Sequence, residues 1–97
     1  MRGAMAKVFV VRNKVSADFT ACLVTNQVMA DILVFEVSHQ VNAKGDFLWY
    51  YSNSESLADS KIYWVDSAAT ADLKVMMVKS QTQAKWTKSH RLVGRIG

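Results

Sequence analysis

The chain has 97 residues, 51% of them hydrophobic, and a formal net charge of +4. That length and apolar content describe one folded domain and exclude a disordered chain. A single cysteine excludes an intramolecular disulfide, and no apolar run nears the ~20 residues of a membrane-spanning helix.

Met1-Arg2-Gly3 reads as an added leader ahead of a second start at Met5, so residues 1–6 are set apart from the domain. No apolar core of a secretory signal follows, and the lone Cys22 suits a reducing, cytoplasmic setting. Cys22 lies in an apolar run, where a buried, inert thiol is the expectation.

From residue 7 the chain repeats. Ala-Asp recurs at Ala17-Asp18, Ala30-Asp31, Ala58-Asp59 and Ala71-Asp72, with Ala43-Lys44 and Ala84-Lys85 as variants. The alanines fall at 17, 30, 43, 58, 71 and 84, so four of the five intervals are 13 residues and the central one is 15. Each unit opens on a short apolar run, as in Val8-Phe9-Val10-Val11 and Leu48-Trp49-Tyr50-Tyr51. The runs close on Val11, Val24, Val37, Tyr51, Val65 and Val78, with steps of 13, 13, 14, 14 and 13. By that count the extra length enters twice, near Gly45-Asp46 and within Ser52 to Leu57, and divides the array into three repeats plus three.

The runs are rich in Val, Ile, Phe, Tyr and Trp, which is strand composition at strand length. They are nearly continuous in hydrophobicity, so both faces of each strand should be covered. The polar segments between them are too short for a useful helix, though Ser67 to Asp72 could hold a single turn. Proline is absent and no glycine occurs between Gly3 and Gly45, which leaves the turns to Asn, Asp and Ser side chains. The expected architecture is an all-β single domain of six short-strand repeats over residues 7–86, with a basic tail at 87–97. His90-Arg91-Leu92-Val93 is a candidate last strand.

The register of apolar run, polar turn, Ala-Asp, apolar residue and Lys also carries a resemblance. Ile62-Tyr63-Trp64-Val65-Asp66-Ser67, running to Ala71-Asp72-Leu73-Lys74-Val75 and on to Ala84-Lys85-Trp86, resembles a small bacterial and phage family of ADLK-type repeats. That family is similar to the deeply knotted, seven-crossing (septafoil) β proteins. The resemblance covers roughly residues 7 to 90, most clearly 61 to 86. It implies a chain wound around itself as a deep torus knot, against the usual rule for protein chains. It implies no activity. Lys44 and Lys85 depart from the pattern by replacing the repeat Asp, and Ser60 replaces the apolar residue that should follow Asp59.

The repeat aspartates Asp18, Asp31, Asp59 and Asp72 are the first candidates for chemistry. Acid–base catalysis needs carboxylates converging on one site, and calcium needs six or more oxygens around a point. Residues one repeat apart are displaced by a whole unit, so they read as structural: each accepts N–H bonds at its own turn. His39 and His90 lack zinc spacing, and neither Ser38-His39 nor Ser89-His90 gives a nucleophile–base geometry. The chain therefore reads as a non-catalytic structural or interaction protein with no cofactor and no metal, monomeric and not associated with membranes. Its aromatic residues Phe47, Trp49, Tyr50, Tyr51, Tyr63 and Trp64 read as core.

Charge supplies the alternative. The first 14 residues hold four cations and no acid, and residues 79–97 hold five cations and no acid, while all eight acids lie from Asp18 to Asp72. Lys85, Trp86, Lys88, His90, Arg91 and Arg95 mix cations with one aromatic ring, a composition suited to nucleic acid or another polyanion. On that reading, association is measurable at low salt, weakens steeply as salt rises, and is lost when Lys88, Arg91 and Arg95 are all replaced by Ala.

Overall fold

The computed structural model describes residues 6–96. Seven strands run along it: β1 (Ala6–Val10), β2 (Phe19–Leu23), β3 (Ile32–Glu36), β4 (Leu48–Tyr51), β5 (Ser60–Trp64), β6 (Leu73–Met77) and β7 (Lys85–Trp86). The leader and Met5 lie outside the described residues, except that Ala6, assigned to the leader by sequence, is the fully buried first residue of β1.

Between strands sits one tight turn per repeat. Four are single 3₁₀ turns, at Lys14–Ser16, Gln40–Asn42, Glu55–Leu57 and Gln81–Gln83. The turns at 27–29 and 68–70 take the same place in the second and fifth repeats. Asn13 and Asn26 start their turns by accepting the Val15 and Val28 backbone N–H groups at 2.9 and 2.8 Å. This is the side-chain turn chemistry expected of a chain without proline.

The strands are ordered β4-β1-β5-β2-β6-β3-β7 in one sheet, and a further pairing of β4 with β3 closes it. All pairings among β1 to β6 are parallel. Apart from β4, which meets the end of β3, no strand pairs with the one before it in sequence. The others land two places on, so the second lap fills the gaps left by the first. Strands β1 to β3 make one lap of the ring, and β4 to β6 interleave with them on the next. Two interleaved laps of this kind fit the winding of a torus knot. The ring closes between β3 and β4. There β7 pairs antiparallel with Ile32 and Leu33, at the start of β3, while β4 meets Phe35 and Glu36 at its end.

Alternate residues of every strand fill the barrel: Ala6, Val8, Phe19, Ala21, Ile32, Val34, Trp49, Ile62, Leu73 and Val75. Small residues face large ones across the ladder, Ala6 beside Trp49 and Ala21 beside Trp64. That complementarity lets two indoles share a narrow interior. Trp49 lies edge-on to Tyr51 at 6.3 Å between ring centroids, with Trp64 at 6.4 Å. The outer face is covered where a crossover passes over it. Val37, Ala43, Leu48 and Ala84 form a second buried cluster there, but elsewhere the outer faces are only partly covered, and Val10 and Leu23 are exposed. Cys22 is buried, as its surroundings in sequence suggested.

Two expectations are corrected. The extra length enters once, as the pair Lys44-Gly45, and not as two single residues. Ser52, not Tyr51, ends the fourth run: its N–H donates to Val8 O, as Val65 donates to Ala21 O and Val78 to Val34 O. The strand-ending positions are then 37 and 52, a single step of 15. Gly45 takes φ +61° in the insertion, a conformation that favours glycine. Nor is His90-Arg91-Leu92-Val93 a strand. Residues 91–95 are turns, and the seventh strand is β7 at Lys85–Trp86.

Burial in the barrel, reinforced by the negative charge of Glu36, pushes the Tyr51 hydroxyl from 10.0 up to about 12. A raised value favours the neutral form in the fold, so this contribution is fully present below pH ~10 and is lost as pH rises toward 12. In a spectrophotometric titration of the three tyrosines, one should ionise only near pH 12, and Tyr51→Phe should remove that late component.

Candidate functional site

Because the strands are parallel, every residue that precedes one falls at the same end of the barrel. Asp18, Asp31, Asp59 and Asp72 immediately or almost immediately precede β2, β3, β5 and β6, and Asp46 precedes β4. The insertion Lys44-Gly45 had hidden the last of these. Lys44 does not replace a repeat aspartate; Asp46 holds that position two residues later. Five carboxylates therefore ring one mouth of the barrel. The winding brings together what the repeat spacing seemed to keep apart.

Four of the five extend a ladder by one rung. The Asp18 N–H donates to Lys61 O at 2.7 Å, and the Lys61 N–H returns to Asp18 Oδ2 at 2.7 Å. Asp31 makes the same pair of bonds with Lys74, and Asp59 makes it with Lys7. In the fourth, Asp72 Oδ2 accepts the Thr20 N–H at 2.9 Å, while the Thr20 hydroxyl takes the place of its carbonyl as acceptor. The aspartates were expected to fix their own turns. They instead clamp a strand of the other lap, 43 or 52 residues away.

Each clamp occupies Oδ2, and at two positions the other oxygen faces the tail. After β7 the chain leaves the sheet at this mouth, where the Thr87 N–H donates to Asp31 O and its hydroxyl to Ala30 O. Lys88 Nζ lies 4.0 Å from Asp31 Oδ1 and Arg91 Nη2 lies 2.8 Å from Asp72 Oδ1. His90 sits between them, its Nε2 2.9 Å from Asp72 O and 3.7 Å from Asp31 Oδ2, with Trp86 stacked on its ring at 5.5 Å. The Leu92 N–H donates to His90 Nδ1, so in this arrangement the proton is on Nε2.

Asp46 works differently. Only 6% exposed, it accepts the N–H groups of Gly94 and Ile96 and the Trp86 indole N–H. Ser60, the polar exception in the repeat, is 2% exposed and donates to Ile96 O at 2.7 Å. Its hydroxyl ties down the tail where other repeats would place a hydrocarbon. Leu92 and Ile96 then enter the barrel core. Beside the tail an open cleft of about 610 Å³ is lined by Asp18, Asp59 and Ser60 of the barrel and by Arg91, Leu92 and Arg95 of the tail.

Of the residues marked for polyanion contact, Trp86, Lys88, His90 and Arg91 are thus directed at carboxylates of the same chain. Arg95 lies on the cleft. Lys85 lies away from them, on an outer groove with Leu33, Met76 and Met77. The acid residues that meet this tail precede it by 18 to 50 positions or more, and no local signal links them. The composition of the tail was legible, but its partner was not.

The family model of the 7(1) septoil knot domain matches residues 5–87. The chain belongs to that family, and the closed ring of parallel strands agrees with a knotted all-β fold. No curated protein and no solved structure matches it. No helix among the described residues is long and apolar enough to cross a membrane.

Asp31→Ala leaves the Lys74 N–H without its acceptor and should cost about 1–3 kcal/mol. Asp46→Ala removes three acceptor bonds and should cost more, with amide exchange rising first at Gly94 and Ile96. Denaturant titration of both variants, read with residue-resolved exchange, checks the order.

Proposed function

We propose that the chain is a non-catalytic, kinetically stable structural or interaction protein working in a cytoplasmic setting. The observation that carries this reading is the interleaving of the two laps. No strand is paired to its sequence neighbour along the ring, apart from the short contact of β3 with β4, so no hairpin can peel off alone. To unfold, the chain must break pairings between laps and unthread, and such a barrier governs lifetime more than equilibrium stability. Pairings between residues 43 to 52 apart also make formation slow.

The rim aspartates support a scaffold over a catalytic pair. Each is committed to backbone N–H groups, and the cations facing them belong to the same chain. Such pairing also leaves Lys88 and Arg91 less available to a nucleic acid than their sequence suggested.

Manual-mixing unfolding in guanidinium should be slow, with a half-life of hours or longer extrapolated to water, near the slow end of about 10⁻⁵–10⁻⁶ s⁻¹ for small domains. Unfolding within seconds would remove the basis of the proposal. A duplex oligonucleotide at about 50 mM salt should show no salt-dependent association; tight binding there would favour the polyanion reading.

A further inference from the structure

The tail meets the barrel mouth as a ligand meets a site. The family model matches residues 5–87, and residues 88–96 follow the matched span. Past Thr87, among the described residues, no ladder bond joins the tail to the sheet. Its own backbone closes two turns, Val93 N–H to His90 O and Arg95 N–H to Leu92 O. What holds it are barrel groups aimed at its main chain: Asp46 on the N–H groups of 94 and 96, and Ser60 on the carbonyl of 96. Both residues are more than nine-tenths buried, and Asp46 also accepts the Trp86 indole N–H of β7. Capture of a peptide backbone by fixed side chains, with apolar anchors in pockets, is how peptide-binding domains work.

The path of the tail follows the rim. It meets Asp31 before β3, then Asp72 before β6, then the cleft lined by Asp18, Asp59 and Lys61 beside β2 and β5, and last Asp46 before β4. With β1 passed over, that is the order of the strands around the ring. Cations at 88 and 91 answer the carboxylates, while Leu92 and Ile96, four residues apart, fill the core.

We propose that this mouth is a binding site for a turn-forming basic segment of a partner protein, one carrying two apolar anchors four residues apart, and that the chain's own tail is its resident competitor. The proposal rests on the interaction-protein reading and names its partner class. Charge complementarity selects a basic segment, Asp46 and Ser60 read its main chain, and the two anchor positions select its apolar residues. The tail is tethered beside the site, so its effective concentration there is in the millimolar range for a short linker. A partner segment must therefore outcompete it, and affinity rises when the tail is released.

The test uses the full chain and a fluorescein-labelled peptide of residues 87–96. Leu92→Asp with Ile96→Asp puts two charges where the anchors were, against an acidic rim, and frees the mouth. Fluorescence anisotropy should show the peptide binding this variant at least about tenfold more tightly than the unaltered chain. Adding Asp46→Ala should abolish the gain. Should the double variant not fold, Gly94→Pro serves. Gly94 has φ +77° and gives its N–H to Asp46, and proline can supply neither. Failure of the peptide to bind a folded, tail-released chain overturns the proposal, and the tail is then simply part of the core. Equal binding of a scrambled peptide of the same charge overturns it too, because nothing but charge is being read. A tail-exchanged dimer of the unaltered chain in sedimentation would assign the mouth to self-association and likewise overturn it. In all three cases slow unfolding would still stand, so the scaffold reading is tested separately.

Discussion

The parallel ladder between laps is the constraint on which the rest of the molecule depends. A parallel pair needs a crossover, and here each crossover is a single tight turn that passes over the strand of the other lap. The turn is too short to bury much itself, so the alternate strand residues that face the barrel interior carry the core, and the outer faces stay partly exposed. At the start of each ladder a partner N–H would be left without an acceptor. The aspartate carboxylate supplies one at four of the ring positions, joining repeats 43 or 52 residues apart. A charge-assisted bond of this kind is stronger than a neutral one.

Placing five of the eight carboxylates at one mouth has a consequence that a linear repeat would lack. Like charges collected on a rim repel one another, and the basic tail answers that repulsion. Arg91 and Lys88 take the outward oxygens of Asp72 and Asp31, and Asp46 is satisfied by two backbone N–H groups and an indole. The tail also brings Leu92 and Ile96 to close the apolar interior. Structural and recognition roles converge on the same few atoms. This is why the mouth, and not the outer wall, is where a partner segment would be selected.

The repeat was legible because its strongest signals are local. Alanine before aspartate, the apolar run after it and an Asn-started turn are each set by a handful of adjacent residues. What failed to be legible was whatever depended on a residue far along the chain. Asp46 escaped notice because Lys44-Gly45 displaced it by two places and left Ala43-Lys44 as a false match. Ser60 read as a blemish in an apolar position because Ile96, its partner, lies 36 residues on. Lys88, His90 and Arg91 looked unpartnered because Asp31 and Asp72 lie repeats away. The candidate strand at His90-Val93 failed for a related reason: Leu92 and Ile96 anchor at a spacing of four, which suits turns over a barrel mouth and not a strand along its wall.

By itself the amino-acid sequence determined the strands, the turns, the 13-residue register and the class of fold, since these follow from side-chain shape, turn chemistry and hydrophobic patterning over short spans. Resemblance of the repeat, and not its periodicity, pointed to the knot. Only the tertiary structure decided which strands pair, that five carboxylates share one mouth, and that the basic tail is held there. Those facts depend on how many times the chain circles before it meets itself. Local physics is indifferent to that number; only the closed ring of strands fixes it.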